Sequence, residues 1–142
     1  MAELNFHGLD EFMLDMQQIA EISEEVQDEM LNAQADVAVR AQRQQAEIMG
    51  VHAPGSGLLI KSIKKGRVKT KRGVKAIYVT PSGSRKRGNK RVRNAEIAFI
   101  NEYGKDNQPP RPFIRTANEK SAEETTQAAF EVYDRWLKSK DL

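Results

Sequence analysis

Few residues of this sequence have the types and the spacing that catalysis requires. The chain contains two histidines, His7 and His52, and no cysteine. Neither a histidine pair nor a Cys/His cluster has the spacing of metal ligands, and disulfide or thiolate chemistry is excluded. Ser56, four residues after His52, is the one local pairing of a nucleophile with a base. Because both lie in a segment rich in proline and glycine, a turn explains them better.

Carboxylates and glycines give no stronger indication of chemistry. Glu96 and Glu102 are six residues apart, so on a helix they do not face the same side as an acid/base pair. Gly55 and Gly57 lack both the dinucleotide-binding spacing and the ending of a phosphate-binding loop. The sequence therefore predicts no catalytic residue, no cofactor and no metal, and we expect that the protein is not an enzyme.

Charge is strongly segregated along the 142 residues, although the net charge is only +3. Every acidic residue lies at or before Glu47 or at or after Glu96. Fourteen of the twenty-three lysines and arginines lie between Ile48 and Arg93, where no acidic residue occurs. This pattern concerns partners rather than fold. It indicates an acidic protein surface or nucleic acid as a partner.

Residues 8–50 are predicted to be helical within a single domain that spans residues 1–142. A first helix has apolar residues at helical spacing: Leu9, Phe12, Met13, Met16, Ile19 and Ala20. A second helix is predicted to begin after an N-cap at Ser23 and to end at Gly50. One face of it carries Val26, Met30, Ala33, Val37, Ala41 and Ile48. That face packs either into the core or partly against another subunit.

A β-hairpin is predicted over residues 58–80. The turn composition of residues 52–59 precedes a strand from Leu58 to Val68, and residues 74–79 give the clearest strand signal. The two strands would be joined around residues 69–73. Its basic candidates for contact with a partner or with phosphate are Lys69, Lys71 and Arg72.

Residues 81–93, PSGSRKRGNKRVR, are predicted to form a long mobile loop because they contain too little apolar surface to become ordered. The loop is either a solvated segment or a contact for nucleic acid or an acidic protein. Without aromatic residues, a nucleic-acid contact would be with phosphates. The candidate contact residues are Arg85, Lys86, Arg87, Lys90, Arg91 and Arg93.

A proline-rich corner follows within residues 94–117. Residues 95–103 fit either a short helix capped by Asn94 or a buried strand, and Gly104 is expected to have a positive φ. Three prolines, Pro109, Pro110 and Pro112, then stiffen the backbone. A C-terminal helix is predicted over residues 112–138, with Pro112 in its first turn. Its apolar stripe contains Ile114, Ala117, Ser121, Thr125, Ala128, Val132 and Trp136, widened by Ala129, Tyr133 and Leu137.

Targeting signals are not evident in the sequence. The longest apolar stretches are far shorter than the ~20 residues that cross a bilayer. The segment MAELNFHGLDEF lacks the pattern of a signal peptide. Assembly in the cytosol is therefore expected.

Two motifs resemble those of the tail-completion, or head–tail joining (neck), proteins of long-tailed double-stranded DNA phages, which include minor tail components. The first is His52-Ala53-Pro54 with Ser56-Gly57-x-Leu59 and Lys61-Ser62-Ile63. The second is Asn101-Glu102-Tyr103-Gly104 followed by Pro110-Arg111-Pro112-Phe113-Ile114-Arg115. The resemblance covers roughly residues 8–137. Ser56 replaces the commoner threonine, and the basic loop is variable in the family, so the role of that loop is not inherited.

The resemblance implies an α+β fold, in which a small antiparallel sheet packs against N-terminal helices and a long C-terminal helix. It implies a virion protein at the head–tail interface, assembled in the host cytoplasm as a homo-oligomeric six-fold ring without cofactor or catalysis. Its partners would be the connector or head-completion protein and the tail-terminator or tail-tube protein. The implied structural residues are Pro54, Gly57, Leu59, Glu102, Tyr103, Gly104, Arg111, Pro112 and Phe113.

Two further hypotheses stay open from the sequence. The acidic helices of one subunit could contact the basic hairpin of the next, in which case salt would weaken assembly. Alternatively, the protein is a small nucleic-acid-binding protein that contacts phosphates through residues 61–93.

Overall fold

Helices and short antiparallel strands alternate along the chain in the computed structural model, which describes residues 22–51 and 58–140. The described helices are α1 (Glu24–Ile48), α2 (Leu58–Ser62), α3 (Asn94–Tyr103), α4 (Phe113–Lys120) and α5 (Ala122–Ser139). The described strands are β1 (Ile63–Lys65), β2 (Lys69–Lys71), β3 (Val74–Ala76), β4 (Val79–Pro81), β5 (Ser84–Arg87) and β6 (Lys90–Arg93). The predicted α+β class is confirmed.

Both ends of α1 are closed as the sequence predicts. The Ser23 hydroxyl accepts a hydrogen bond from the Val26 N–H at 3.3 Å. At the other end Gly50 has a φ of 65°. The Gly50 N–H donates to the Glu47 carbonyl and the Val51 N–H donates to the Ala46 carbonyl, which together form a Schellman motif. The helix predicted before α1, over residues 9–20, lies outside the described residues.

The C-terminal helices pack along one side of α1. Arg40, near the C-terminal end of α1, forms an ion pair with Glu124 in the first turn of α5. Because α5 then continues along α1, the two helices run antiparallel. The predicted α1 face is only partly buried. Val37 is buried, Ile48 is exposed at the last position of the helix, and the other members of the face are half-buried. The other buried residues of α1 are Ala35, Gln42, Gln45 and Ala46.

The other side of α1 is followed by the first ribbon, which we define as residues 63–81. In it β1 pairs with β4 and β2 pairs with β3. The pairing shifts by one residue between the two halves, from Lys65 opposite Val79 to Lys69 opposite Ala76. Such an extra residue on one strand is a β-bulge, which bends the ribbon.

The turn of the first ribbon consists of Arg72 and Gly73, with φ values of 53° and 78°. Two successive positive φ values make a type I′ turn, which suits the twist of a hairpin. The predicted hairpin is therefore present, but its first strand does not begin at Leu58. The residues from Leu58 to Ser62 form α2 instead.

The helical conformation of α2 has a packing reason. Leu59 and Ile60 are both buried. Successive residues point to opposite faces of a strand, whereas in a helix both can lie on the side that faces the core. The apolar run is too short for its periodicity to distinguish the two. The predicted turn over residues 52–59 is wrong at Leu58 and Leu59, and its other six residues lie outside the described ranges.

The segment predicted to be a long loop contains a second hairpin, formed by β5 and β6, which we call the basic hairpin (residues 84–93). The prediction was wrong because it weighed composition alone. Gly88 has a φ of 65° and is followed by Asn89, and a Gly-Asn pair between two extended runs is a turn signal. Backbone hydrogen bonds and the packing of Val92 against the core supply the order that apolar burial alone does not.

Residues 94–103 form α3, so the choice between helix and strand is settled in favour of the helix. Asn94 is not its N-cap, which is Arg93 without a side-chain cap. Asn94 is instead buried, and its side-chain amide donates to the Ser82 carbonyl at 2.8 Å. Gly104 ends α3 with the expected positive φ of 78°.

The single helix predicted over residues 112–138 is two helices. They are interrupted at Ser121, whose φ of −98° and ψ of 5° depart from helical values. The break allows α4 to be held at the end of α3 while α5 follows α1, which a straight helix could not do. Pro112 is the N-cap of α4 rather than part of its first turn.

The core lies where the ends of α1 and α3 meet α2, β1 and α4. Its buried members are Ala46, Val51, Leu59, Ile60, Ile63, Ile97, Ala98 and Phe113. Phe113 is the largest of the fully buried side chains. In the described ranges, no helix combines the length and apolar character needed to span a membrane.

Replacing Phe113 with alanine is expected to lower the free energy of unfolding by about 3–5 kcal/mol, because the side chain is 0% exposed and its removal leaves a cavity. For a domain of this size the melting temperature should fall by roughly 10 °C or more. Phe130→Ala is the matched control, since Phe130 is 54% exposed. Equal melting temperatures for the two variants would contradict the assignment of Phe113 to the core.

Candidate partner-binding surface

The N-terminus of α4 is capped by a side chain from another helix. Glu102 on α3 accepts hydrogen bonds from the backbone N–H groups of Ile114 and Arg115, each at 2.9 Å. Pro112 at the N-cap provides no side-chain acceptor. A carboxylate suits this place because unpaired N–H groups and the helix dipole make the N-terminus electropositive. Glu102 therefore fixes α4 to α3.

Arg111 connects the same corner to the end of α1. Its backbone N–H donates to the Asn101 carbonyl at 2.6 Å. Its guanidinium Nη1 donates to the Gly50 carbonyl at 2.9 Å. Gly50 belongs to the Schellman motif that ends α1. Its carbonyl accepts no hydrogen bond within that motif, and it accepts one from Arg111 instead. The corner thus positions three helices relative to one another.

Gly104 is required by the close passage of the proline-rich stretch. Its φ of 78° and ψ of 178° belong to a region that is essentially restricted to glycine. A Cβ atom at this position would lie 2.7 Å from the Gln108 carbonyl oxygen and 2.9 Å from the Pro110 nitrogen. The chain can therefore turn back against the end of α3 only if this residue lacks a side chain.

The outer face of α3 carries an exposed aromatic pair. Phe99 is 63% exposed and Tyr103 is 68% exposed, and their ring centroids lie 4.7 Å apart. They line an open groove of about 730 Å³ between α3 and α4, which Ala98 and Ile114 also line. We call it the aromatic groove. We take the aromatic groove as the candidate interaction surface.

The aromatic groove continues towards the basic hairpin. A smaller hollow of about 300 Å³ lies beside Phe99 and is lined by Arg93, Ala95 and Ile100. Ala95 and Phe99 line both depressions. Charged groups of both signs also border the aromatic groove, at Glu102, Arg115 and Glu119. The apolar surface is therefore contiguous with the base of the basic hairpin.

The basic hairpin has an inner and an outer face. Arg85 and Val92 are paired and half-buried on the inner face. Lys86 pairs with Arg91 on the outer face, and the Arg91 guanidinium donates to the Ser84 hydroxyl at 2.8 Å. The outer face is thus basic and exposed.

The cations of the basic hairpin differ in how they are neutralised. Arg93, at the base, forms an ion pair with Glu96 at 3.3 Å. Within the described ranges, Lys86, Arg87 and Lys90 form no ion pair with an acidic side chain. Their charge is therefore available to a partner near the turn of the hairpin.

Two of the seven lysines and arginines of the first ribbon are neutralised by α1 of the same subunit. Lys65 pairs with Asp36 at 2.8 Å and Lys75 pairs with Asp28 at 2.7 Å. We hypothesised a contact between the acidic helices of one subunit and the hairpin over residues 58–80 of the next. Two ion pairs of this kind, between α1 and the first ribbon, form inside one chain. Three exposed cations near the turn have no acidic partner among residues 22–51 and 58–140: Lys69, Lys71 and Arg72.

Of the residues first considered for catalysis, the structure describes Glu96 and Glu102, and each of them contacts a different partner. Glu96 pairs with Arg93 and Glu102 caps α4. His7, His52 and Ser56 lie outside the described residues. In the part of the chain that the structure describes, no three His, Cys, Asp or Glu side chains are grouped so as to hold a metal ion.

The residues singled out by the family resemblance have mainly intramolecular contacts. Leu59 and Phe113 are buried in the core, Glu102 and Arg111 fasten the corner, and Gly104 permits its turn. Among them Tyr103 is the exposed exception. Pro54 and Gly57 lie outside the described residues.

Sequence reasoning missed Phe99, which is the centre of this surface. The spacing of Phe99 and Tyr103, four residues apart, was a usable signal once residues 95–103 were known to be helical. Comparisons of the chain with protein-family models, with curated proteins and with solved structures found no match.

Gly104→Ala is expected to lower the free energy of unfolding by more than about 1–3 kcal/mol, which is the ordinary cost of a strained backbone conformation, because the added Cβ would also overlap the backbone of Gln108 and Pro110. Gly88→Ala is the control. It also has a positive φ, but a Cβ there meets no atom within 4 Å. Chemical denaturation of both variants measures the difference, and equal losses would contradict the steric argument.

Proposed function

We propose that this protein is a structural virion component of a long-tailed double-stranded DNA phage that acts in tail completion or head–tail joining. The observation that carries the proposal is that the two sides of α3 have different roles. Its inner side and its end build the corner through Glu102 and Gly104. Its outer side presents Phe99 and Tyr103 over the aromatic groove. A scaffold of this kind serves binding rather than reaction chemistry.

The corner supports this function by pre-organising the groove. Its two walls come from α3 and α4, and the hydrogen bonds of Glu102 fix these two helices together. A partner then binds without first ordering the surface, which reduces the entropic cost of association. Exposed aromatic residues in such a groove are the side chains that contribute most to the affinity of interfaces.

The proposed assembly has two kinds of contact. Copies of the chain associate as a ring, six-fold by the family resemblance, and the ring meets a connector or head-completion protein on one side and a tail-terminator or tail-tube protein on the other. The basic hairpin, whose turn cations lack acidic partners among the described residues, faces an acidic neighbour or DNA. The residues of this hairpin are therefore proposed to bind and orient that partner, and none of them is proposed to be catalytic.

Deletion of the gene from the phage that carries it tests the function. Electron microscopy of the lysate is expected to show full heads and finished tails that are not joined, and supply of the intact gene should restore virions. Normal virions after deletion would refute the proposed role. The Phe99→Asp variant should fail to restore virions although it folds, because Phe99 is largely exposed. Phe130→Asp, at an exposed position on α5, is the matched control.

A second candidate function is phosphate binding to nucleic acid through residues 61–93. It is favoured by six exposed cations near the two hairpin turns that have no acidic partner among the described residues: Lys69, Lys71, Arg72, Lys86, Arg87 and Lys90. The two turns are separate in the chain, and each would contact phosphates without reading bases.

A mobility-shift assay on duplex DNA measures this second function. If all six cations neutralise phosphates, affinity should fall by about 5 log units per log unit of salt. Charge reversal of Lys86, Arg87 and Lys90 should reduce that slope by roughly half, and reversal of three acidic residues on α5 should leave it unchanged. Absence of a shift at low salt would remove nucleic acid as a partner and would leave the assembly function unaffected.

A further inference from the structure

We propose that the N-terminal segment of one copy, residues 1–21, binds in the aromatic groove of a neighbouring copy, beside its basic hairpin. The inference rests on the proposed function, because it supplies the contact by which copies of this chain associate. Its basis is a match between the chemistry of the segment and that of the groove, together with the distance between them within one chain.

The segment is both acidic and apolar. It contains five acidic residues, Glu3, Asp10, Glu11, Asp15 and Glu21, and neither lysine nor arginine. The helical spacing of Leu9, Phe12, Met13, Met16 and Ile19 predicts one apolar face. A short amphipathic helix with anchors three and four residues apart is the type of ligand that apolar grooves bind.

The groove offers the complementary surface. Phe99 and Tyr103 provide exposed aromatic rings. The adjoining hollow leads to the ion pair of Arg93 and Glu96 at the base of the basic hairpin. Farther along that hairpin, Lys86, Arg87 and Lys90 have no acidic partner among the described residues. An apolar helix face with acidic flanks therefore matches both parts of this surface, and opposite charges favour the correct encounter.

The groove is too distant for the helix that is predicted over residues 9–20 of the same chain. The chain is fixed at Ile22, which is buried and whose carbonyl accepts a hydrogen bond from the Gln27 side chain. The groove lies near the other end of α1, because Asn118 in its wall bonds to Gln42. Ile22 lies just before the start of α1 at Glu24. The part of α1 between Glu24 and Gln42 is about 27 Å of helix.

The reach of that predicted helix falls short of this distance. A helix over residues 9–20 is about 18 Å long, and Glu21 adds about 4 Å of linker. Even the far tip of such a helix would stop before the groove of its own chain. A neighbouring copy placed head to tail has no such limit. This contact joins two different surfaces, and repeated around an axis it closes a ring.

Disulfide trapping tests the contact, since the chain has no cysteine of its own. Full-length Gln17→Cys is mixed with full-length Ala95→Cys, whose new thiol lies in the lining of both depressions, and the mixture is oxidised. We expect the mixed dimer in at least about tenfold higher yield than with Glu131→Cys, an exposed position on α5 outside the groove. Adding Phe99→Asp to the Ala95→Cys chain should reduce the yield to that of the control.

Two results would overturn the proposal. One is an equal yield from the groove and control positions. The other is a disulfide formed within single chains by a dilute Gln17→Cys/Ala95→Cys double variant, which would place the segment in its own groove. An unchanged melting temperature for the Phe99→Asp variant shows that loss of trapping is not unfolding.

This experiment is independent of the phage assay. Trapping together with normal virions from the deletion phage would reject only the head–tail function. Absence of trapping together with unjoined heads and tails would reject only this contact.

Discussion

The bond between the Glu102 carboxylate and the N-terminus of α4 is the interaction on which the rest of the structure depends. It holds α4 against α3. Arg111, in the proline-rich stretch before α4, is hydrogen-bonded to the end of α1. These contacts place Phe113 in the core where the elements converge. They also set the two walls of the aromatic groove. The same few residues thus determine both the packing and the shape of the surface that we propose for assembly.

Electrostatic pairing divides the basic middle of the chain into two parts with different roles. Acidic side chains of α1 neutralise Lys65 and Lys75 of the first ribbon, and these two pairs help to hold the ribbon to the helix. Pairs of this type at the surface contribute little stability each, but they select one orientation of the ribbon. In the basic hairpin Arg93 is paired with Glu96. Lys86, Arg87 and Lys90 form no ion pair with an acidic side chain of the described residues, and their charge is left for other molecules.

Several features could be predicted from local sequence because their causes are local. Ser23 and Gly50 mark the ends of α1 through hydrogen bonds to their own neighbours in sequence, and Gly104 ends α3 for the same reason. The predictions for α2, for the basic hairpin and for the unbroken C-terminal helix were wrong. For α2 and for the C-terminal helix, the deciding contacts are with residues distant in sequence. For the basic hairpin, the turn signal of Gly88 and Asn89 was obscured by the composition of the segment.

By itself the sequence determined the ends of the main helix, the glycine that ends α3 and the segregation of charge, because caps, glycines and composition act over a few residues. Tertiary structure alone decided which charges are already paired, that Glu102 is a cap rather than a free acid, and that Phe99 faces outward while Phe113 is buried. The physical reason is that solvent exposure and ion pairing depend on what packs against a residue, and that is fixed by partners far away in the chain.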